Sequence, residues 1–147
     1  MPDQTEPHFV HEIRVTWGDC DPAQIAYTAR LPWFALDAIN AWWEAHLGGD
    51  GWFQMELDRG YGTPFVHLSM DFASPVTPRH RLMCQVDPVK LGETSIAFRV
   101  IARQNGKLCF KGRFVCVFIV AKEFRKRAAP PEIVDIVTPL LVAEDAA

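Results

Sequence analysis

The chain has 147 residues, a size that fits one domain able to bury a core without a metal or disulfide staple. Apolar residues make up 49% and the formal net charge is -3. That mild acidity argues against a nucleic-acid binder, which needs a strongly basic face, yet it leaves room for a local basic patch that holds an anion. So much apolar surface in a small domain points to a partner subunit covering part of it.

Met1 to Pro7 reads as a loose polar tail without the apolar stretch of a secretory signal. No apolar run reaches membrane-spanning length. The four cysteines, at 20, 84, 109 and 116, show no CxxC spacing, so reduced thiols in a cytoplasmic protein are expected. From His8 to Trp17 the pattern alternates, with Phe9, His11, Ile13, Val15 and Trp17 on one face of a predicted strand. Gly18 to Pro22 breaks it with turn residues. The next segment is the most helical of the chain. Phe34, Leu36, Ala38, Ile39, Trp42, Trp43 and Leu47 recur at helical steps, Pro32 suits the first turn, and Gly48-Gly49 suits the stop. Its large apolar residues lie on more than one side, which predicts a helix wrapped by a sheet.

A short helix is expected within Gly51 to Gly60. Strands follow at Tyr61 to Phe72, Arg81 to Lys90, Glu93 to Arg103 and Lys107 to Lys122. Leu91-Gly92 turns one hairpin and Asn105-Gly106, a type I′ pair, turns the next. Pro130-Pro131 opens a terminal helix over 130–142 with Ile133, Ile136, Val137, Leu140 and Leu141 as its stripe, and Pro139 limits its regularity. Strand, long helix, then antiparallel strands is an α+β order with the helix on one face of the sheet, in a single domain over 1–147.

The strand–helix junction reads Trp17-Gly18-Asp19-Cys20-Asp21-Pro22-Ala23-Gln24-Ile25-Ala26-Tyr27. It resembles the signature of the 4-hydroxybenzoyl-CoA thioesterase family: aromatic-Gly-Asp-x-Asp-Pro-Ala-Gly-Ile-x-aromatic. The resemblance continues at Gly62-Thr63-Pro64 and, in element order, over about residues 9–125. It implies a hot-dog fold, an antiparallel sheet wrapped around a long central helix. It also implies a homodimer or homotetramer with its site at the subunit interface, and hydrolysis of an acyl-CoA without metal or bound cofactor, coenzyme A being part of the substrate. In the family the second Asp of the motif carries catalysis, and here that is Asp21. The sequence departs from the family at Gln24, where the family has Gly. It departs again at Thr28 and at Arg30-Leu31, on the acyl side, so the acyl group is left open as aromatic or medium-chain. The family's basic run for the CoA phosphates is absent; Lys90-Leu91-Gly92-Glu93 stands roughly there.

The chemistry needs few parts: a carboxylate to attack the thioester carbonyl or activate water, and a donor for the oxyanion. Asp21, just ahead of the helical region, is the candidate, with helix capping or an Asx turn as the competing reading of that residue. Asp19 reads as the residue that holds the turn. Cys20 lacks an adjacent base. Tyr27, Thr28, Thr63, His67 and Lys90 are candidate substrate contacts, while His11, His46 and His80 read as structural or exposed. Trp33, Trp42, Trp43, Trp52 and Phe53 are a pocket or core packing; as neighbours, Trp42 and Trp43 are expected to point different ways, so that at most one faces any given pocket. Arg79, Arg81 and the run Lys122, Arg125, Lys126, Arg127 are cations that could meet CoA phosphates or simply face water. Two other functions compete: a hot-dog dehydratase or hydratase, whose His–Asp hydration motif is not visible, and a non-catalytic module for acyl-CoA or acyl carrier protein.

Overall fold

The computed structural model describes residues 8–144; the tail expected at Met1–Pro7 lies outside them. Strand β1 (Phe9–Ile13) leads through a 3₁₀ turn (Trp17–Asp19) and a tight loop to helix α1 (Arg30–His46). A short helix, α2 (Trp52–Gln54), runs into a π-helical turn (Met55–Arg59). Then come β2 (Tyr61–Gly62), β3 (Phe65–Phe72), β4 (Leu82–Leu91), β5 (Ser95–Gln104), β6 (Lys107–Val117), β7 (Ile119–Val120), β8 (Arg125–Lys126) and α3 (Pro131–Val137). The main sheet has five antiparallel strands in the order β1-β4-β5-β6-β3, and β2-β7-β8 form a small second sheet.

Helix α1 buries Leu31, Phe34, Ala35, Ala38, Ile39, Trp42 and Trp43, a stripe at three- and four-residue steps. That stripe lies against β1, β4 and β5. It meets the alternate residues Leu82, Cys84 and Val86 of β4 and Ile96, Phe98, Val100 and Ala102 of β5, all of them in the core. The helix stops where Gly48 and Gly49 take φ of 61° and 102°, values open to glycine without strain. Trp42 and Trp43 both set their rings edge-on to Phe98, with centroids 5.1 and 5.7 Å away. The two ring planes stand at 82° to each other, and both rings are core. Each such ring, fully buried, contributes on the order of 2–3 kcal/mol.

Several element boundaries differ from the sequence reading. Alternation in the first strand holds as far as Val15, but Trp17 leaves it and is 74% exposed on the 3₁₀ turn. The expected strand Tyr61–Phe72 is broken at Thr63-Pro64, and Lys107–Lys122 is broken at Phe118. The first break has a plain cause. Pro64 has no N–H to give the ladder, so β2 and β3 part there. Opposite it Val117 still donates its N–H to Pro64 O at 3.0 Å, while the next residue, the fully buried Phe118, gives its N–H to Thr94 O on the β5 side. The terminal helix is also shorter than 130–142: after Val137 it tightens to a 3₁₀ turn at Thr138–Leu140, where Pro139 cannot continue α-helical bonding. The Asn105-Gly106 turn is as expected, with φ positive at both residues.

Candidate active site

Residues 19–27 fold as a small hairpin. Tyr27 N–H donates to Asp19 O at 2.9 Å, Asp21 N–H to Ile25 O at 3.1 Å and Gln24 N–H to Asp21 O at 2.9 Å, while Cys20 bridges Ala26. Gln24 closes the turn with φ 68°. A turn followed by a left-handed residue is the three-residue hairpin, whose last position favours glycine. The family's Gly at this place therefore has a conformational reason, and Gln24 accepts the strain. This hairpin also corrects the picture of Asp21 poised at a helix start. Helix α1 begins at Arg30, and its cap is Ala29.

Asp21 sits at the hairpin's turn, half-buried. Its Oδ1 accepts the N–H of Ala23 at 2.8 Å, an Asx-type contact. Among the described residues no donor is recorded on Oδ2. Asp19 is the buried carboxylate that holds the loop. Its Oδ2 accepts the N–H and hydroxyl of Thr16 at 2.9 and 3.1 Å, and its Oδ1 lies 3.2 Å from Arg30 Nη2. Arg30 in turn lies 5.8 Å over the Trp33 ring. Nothing in the spacing of residues predicted Arg30 as the partner of Asp19. On the same helix, loss of solvent raises the Asp37 carboxyl above its ordinary range, partly offset by His11 and Arg30. Tyr27 and Thr28 stand exposed at the hairpin's exit.

The remaining candidates are elsewhere in the chain. Ala26 N–H donates to Val76 O, so the hairpin is tied to the connector after β3. That connector runs past Cys109 and Gln104, at the sheet end where Phe72, Gln104 and Leu82 meet. Thr63 precedes Phe65 at the opposite end. Lys90, Ala97, Val115 and His67 are register neighbours across β4, β5, β6 and β3, again toward that opposite end. Strands of ten residues separate the two ends by about 30 Å. One chain thus brings Asp21, Tyr27 and Thr28 together, and separately Thr63, His67 and Lys90. Lys90 and His67 are exposed, whereas Thr63 is 7% exposed with no partner for its hydroxyl.

The other reactive groups have ordinary duties. Cys20 donates its thiol to Thr16 O at 3.6 Å. Burial pushes the Cys84 thiol up to about 12, and pushes Cys116 well above the usual thiol range, so neither supplies a thiolate. His46 bonds Trp42 O at 2.7 Å and stacks on that ring. Arg125 pairs with Glu123, and Arg127 lies over Tyr61. No three His, Cys, Asp or Glu among the described residues are grouped to hold a metal ion. Among the described residues no helix is long and apolar enough to cross a membrane.

An antiparallel five-stranded sheet carrying a 17-residue helix with one buried stripe, and an Asp-Pro hairpin leading into that helix, define an α+β protein of the hot-dog class. The profile of the thioesterase-like superfamily matches residues 15–137, and the chain belongs to that family. A thioesterase superfamily protein from Jannaschia sp. CCS1 is 52% identical, with a TM-score of 0.92 over 97% of this chain and 99% of that one. A 1,4-dihydroxy-2-naphthoyl-CoA thioesterase from Synechocystis shares the fold at 20% identity and a TM-score of 0.80, over 91% of this chain and 98% of its own. A gentisyl-coenzyme A thioesterase shares it at 18% identity and a TM-score of 0.75, over 88% and 99%. A search of curated proteins returned no significant match.

Proposed function

We propose that this protein hydrolyses an acyl-CoA thioester to free acid and coenzyme A, with Asp21 as nucleophile or general base. The observation that carries the reading is the state of the Asp21 carboxylate. The buried Asp19, paired with Arg30, fixes its hairpin, one of its oxygens is anchored on Ala23 N–H, and among the described residues no donor meets the other. A carboxylate held by one oxygen presents the second in a defined direction, which is what attack on a carbonyl or on water requires. The leaving thiolate is good, so an oxyanion donor from a backbone N–H completes the needs of the reaction.

The site is completed by a second copy of the chain. Among the described residues nothing pairs with the outer edge of β3, and Val66, Leu68 and Phe72 on that strand are exposed apolar residues. A long apolar edge strand is a template for pairing. Two-fold pairing of this edge runs the strands antiparallel, so the hairpin end of one subunit comes beside the Thr63 end of the other. That arrangement joins Asp21, Tyr27 and Thr28 to the partner's Thr63 and His67, and gives the orphaned Thr63 hydroxyl a substrate or subunit to face. A tetramer built from two such dimers is compatible with the same site. The acyl group is aromatic or medium-chain: exposed Tyr27 and Trp33 flank the hairpin, and the esters named for the two distant neighbours are aromatic.

Thiol release across benzoyl, hydroxybenzoyl, phenylacetyl and straight-chain CoA esters tests the reaction. Saturable release from at least one ester is expected. Saturable binding of acyl-CoA with no thiol released would instead identify a binding module, and reversible hydration of an enoyl ester would identify a hydratase.

A further inference from the structure

A cleft of about 460 Å³ lies beside the chain that enters the Asp21 hairpin and is lined by Arg14, Val15, Thr16, Trp17 and Pro78 to Arg81. Its composition runs against that of the protein. The chain is net acidic at -3, yet the cleft gathers Arg14, Arg79, Arg81 and His80 and has no acidic residue in its lining. Among the described residues no carboxylate forms an ion pair with any of the three arginines, whereas Arg30, Arg59, Arg99, Arg113 and Arg125 each have at least one. Unpaired arginines converging on one concavity create a local positive potential and supply planar, multi-donor groups suited to phosphate.

Both walls are built rather than loose. Gln104, 7% exposed, accepts Thr77 N–H at 3.0 Å and donates to Thr77 O and His80 O at 2.7 Å each, which pins the connector carrying Arg79 and Arg81. The opposite wall is held through Thr16 by the Asp19 carboxylate. Trp17, 74% exposed, presents a large ring with no packing role in the core. An exposed indole beside a cluster of arginines suits a planar base attached to phosphates.

We infer that this cleft is the subsite for the phosphorylated nucleotide end of the CoA ester, with Arg14, Arg79 and Arg81 on the phosphates and Trp17 against the adenine. The inference rests on the acyl-CoA reading above and moves the phosphate contacts away from Lys90 and from the Lys122–Arg127 run. Lys90 is a single cation followed by Leu91-Gly92-Glu93 rather than a cluster, and within the run Arg125 is paired and Arg127 covers Tyr61. The cleft instead adjoins the chain that leads directly into Asp21.

The test uses adenosine 3′,5′-bisphosphate as probe, titrated calorimetrically into the full chain and into Arg14→Gln, Trp17→Ala and the double variant Arg79→Gln/Arg81→Gln. These side chains are exposed, and circular dichroism checks that each variant is folded. The wild type is expected to bind saturably. Each arginine removed should weaken binding by about tenfold, as loss of a charge-assisted bond does. The ratio of kcat/KM for an acyl-CoA to that for the matching acyl-pantetheine should fall in parallel. Binding of the bisphosphate requires no turnover, so the subsite and the reaction fail separately. Nucleotide affinity without thiol release would refute only the hydrolase, while hydrolysis with no bisphosphate affinity, or an unchanged CoA preference in the double variant, would overturn the subsite.

Discussion

Asp19 Oδ1 lies 3.2 Å from Arg30 Nη2, and this pair, buried on the Asp19 side and open to solvent on the Arg30 side, joins the hairpin that carries Asp21 to the first turn of α1. Two carboxylates two residues apart thereby acquire different surroundings. Asp19 is consumed by Thr16 and Arg30, while Asp21 keeps an oxygen available. Replacing Asp19 by Ala leaves the Arg30 guanidinium without its partner and the Thr16 N–H without its acceptor. A stability loss of about 1–3 kcal/mol is expected, with turnover falling because the hairpin no longer aims Asp21. Urea unfolding and thiol release on the same variant check both effects. Asp19→Asn should restore more of the stability than of the turnover.

Gln24→Gly should stabilise the protein. The left-handed φ of 68° strains a glutamine, and glycine relieves that strain at the expense of a more flexible unfolded chain. The net gain expected is about 0.5–1 kcal/mol, read as a rise in the urea midpoint at unchanged slope. A loss of stability would show that the Gln24 side chain makes a contact outweighing its backbone strain.

Tyr61 gives a pH prediction with a definite sign. Burial first, and then its 2.7 Å bond to Glu132, raise the phenol from its usual 10.0 to about 12. The folded state thus holds this proton where the unfolded chain has released it. The contribution is fully present below about pH 10 and is lost as pH rises toward 12. Tyr61→Phe should cost about 1 kcal/mol at pH 7 and flatten the alkaline fall in stability between about pH 10 and 12, assayed by urea unfolding.

Gly112 on β6 has no room for a side chain. A Cβ there would stand 2.7 Å from Phe114 Cε2 and 3.0 Å from Ser69 O, and the latter is backbone of β3 that can move only by parting the strands. Gly112→Ala should cost about 1–3 kcal/mol and loosen the β3 edge, seen as faster amide exchange along β3.

Subunit pairing through β3 is tested by the pair Val66→Lys and Leu68→Lys, which puts charge on the exposed edge. Sedimentation velocity should show a shift to monomer, and thiol release should fall at least tenfold with it. A monomer that retains full turnover would show that one chain holds the entire site.

What the sequence revealed followed how local each signal is. Periodicity alone located α1 and its buried stripe, because helical spacing and burial arise from the same geometry at Phe34, Ala38 and Trp42. The Asn105-Gly106 turn was equally legible, since its φ values are a property of two adjacent residues. The motif at 17–27 located the hairpin but not its shape. The turn's strain at Gln24 could be inferred only from the family's glycine, and the Asp19–Arg30 pair depends on how α1 docks. The break at Thr63-Pro64 was signalled by Pro64 itself, whose missing N–H had more weight than the alternation on either side. The arginine cleft was the least visible. Arg14 sits on what reads as the water-facing side of a strand, and only the fold brings it to Arg79 and Arg81 across 65 residues of chain.

The most direct test of the central claim is Asp21→Asn, assayed by thiol release on the best CoA ester. Asparagine keeps a carbonyl oxygen for the Ala23 N–H, so the hairpin and the unfolding midpoint should stay unchanged. Turnover should fall by roughly 10²–10⁴-fold. An Asp21→Asn protein that is folded and turns over that ester at close to the wild-type rate would contradict the assignment of Asp21 as the catalytic carboxylate.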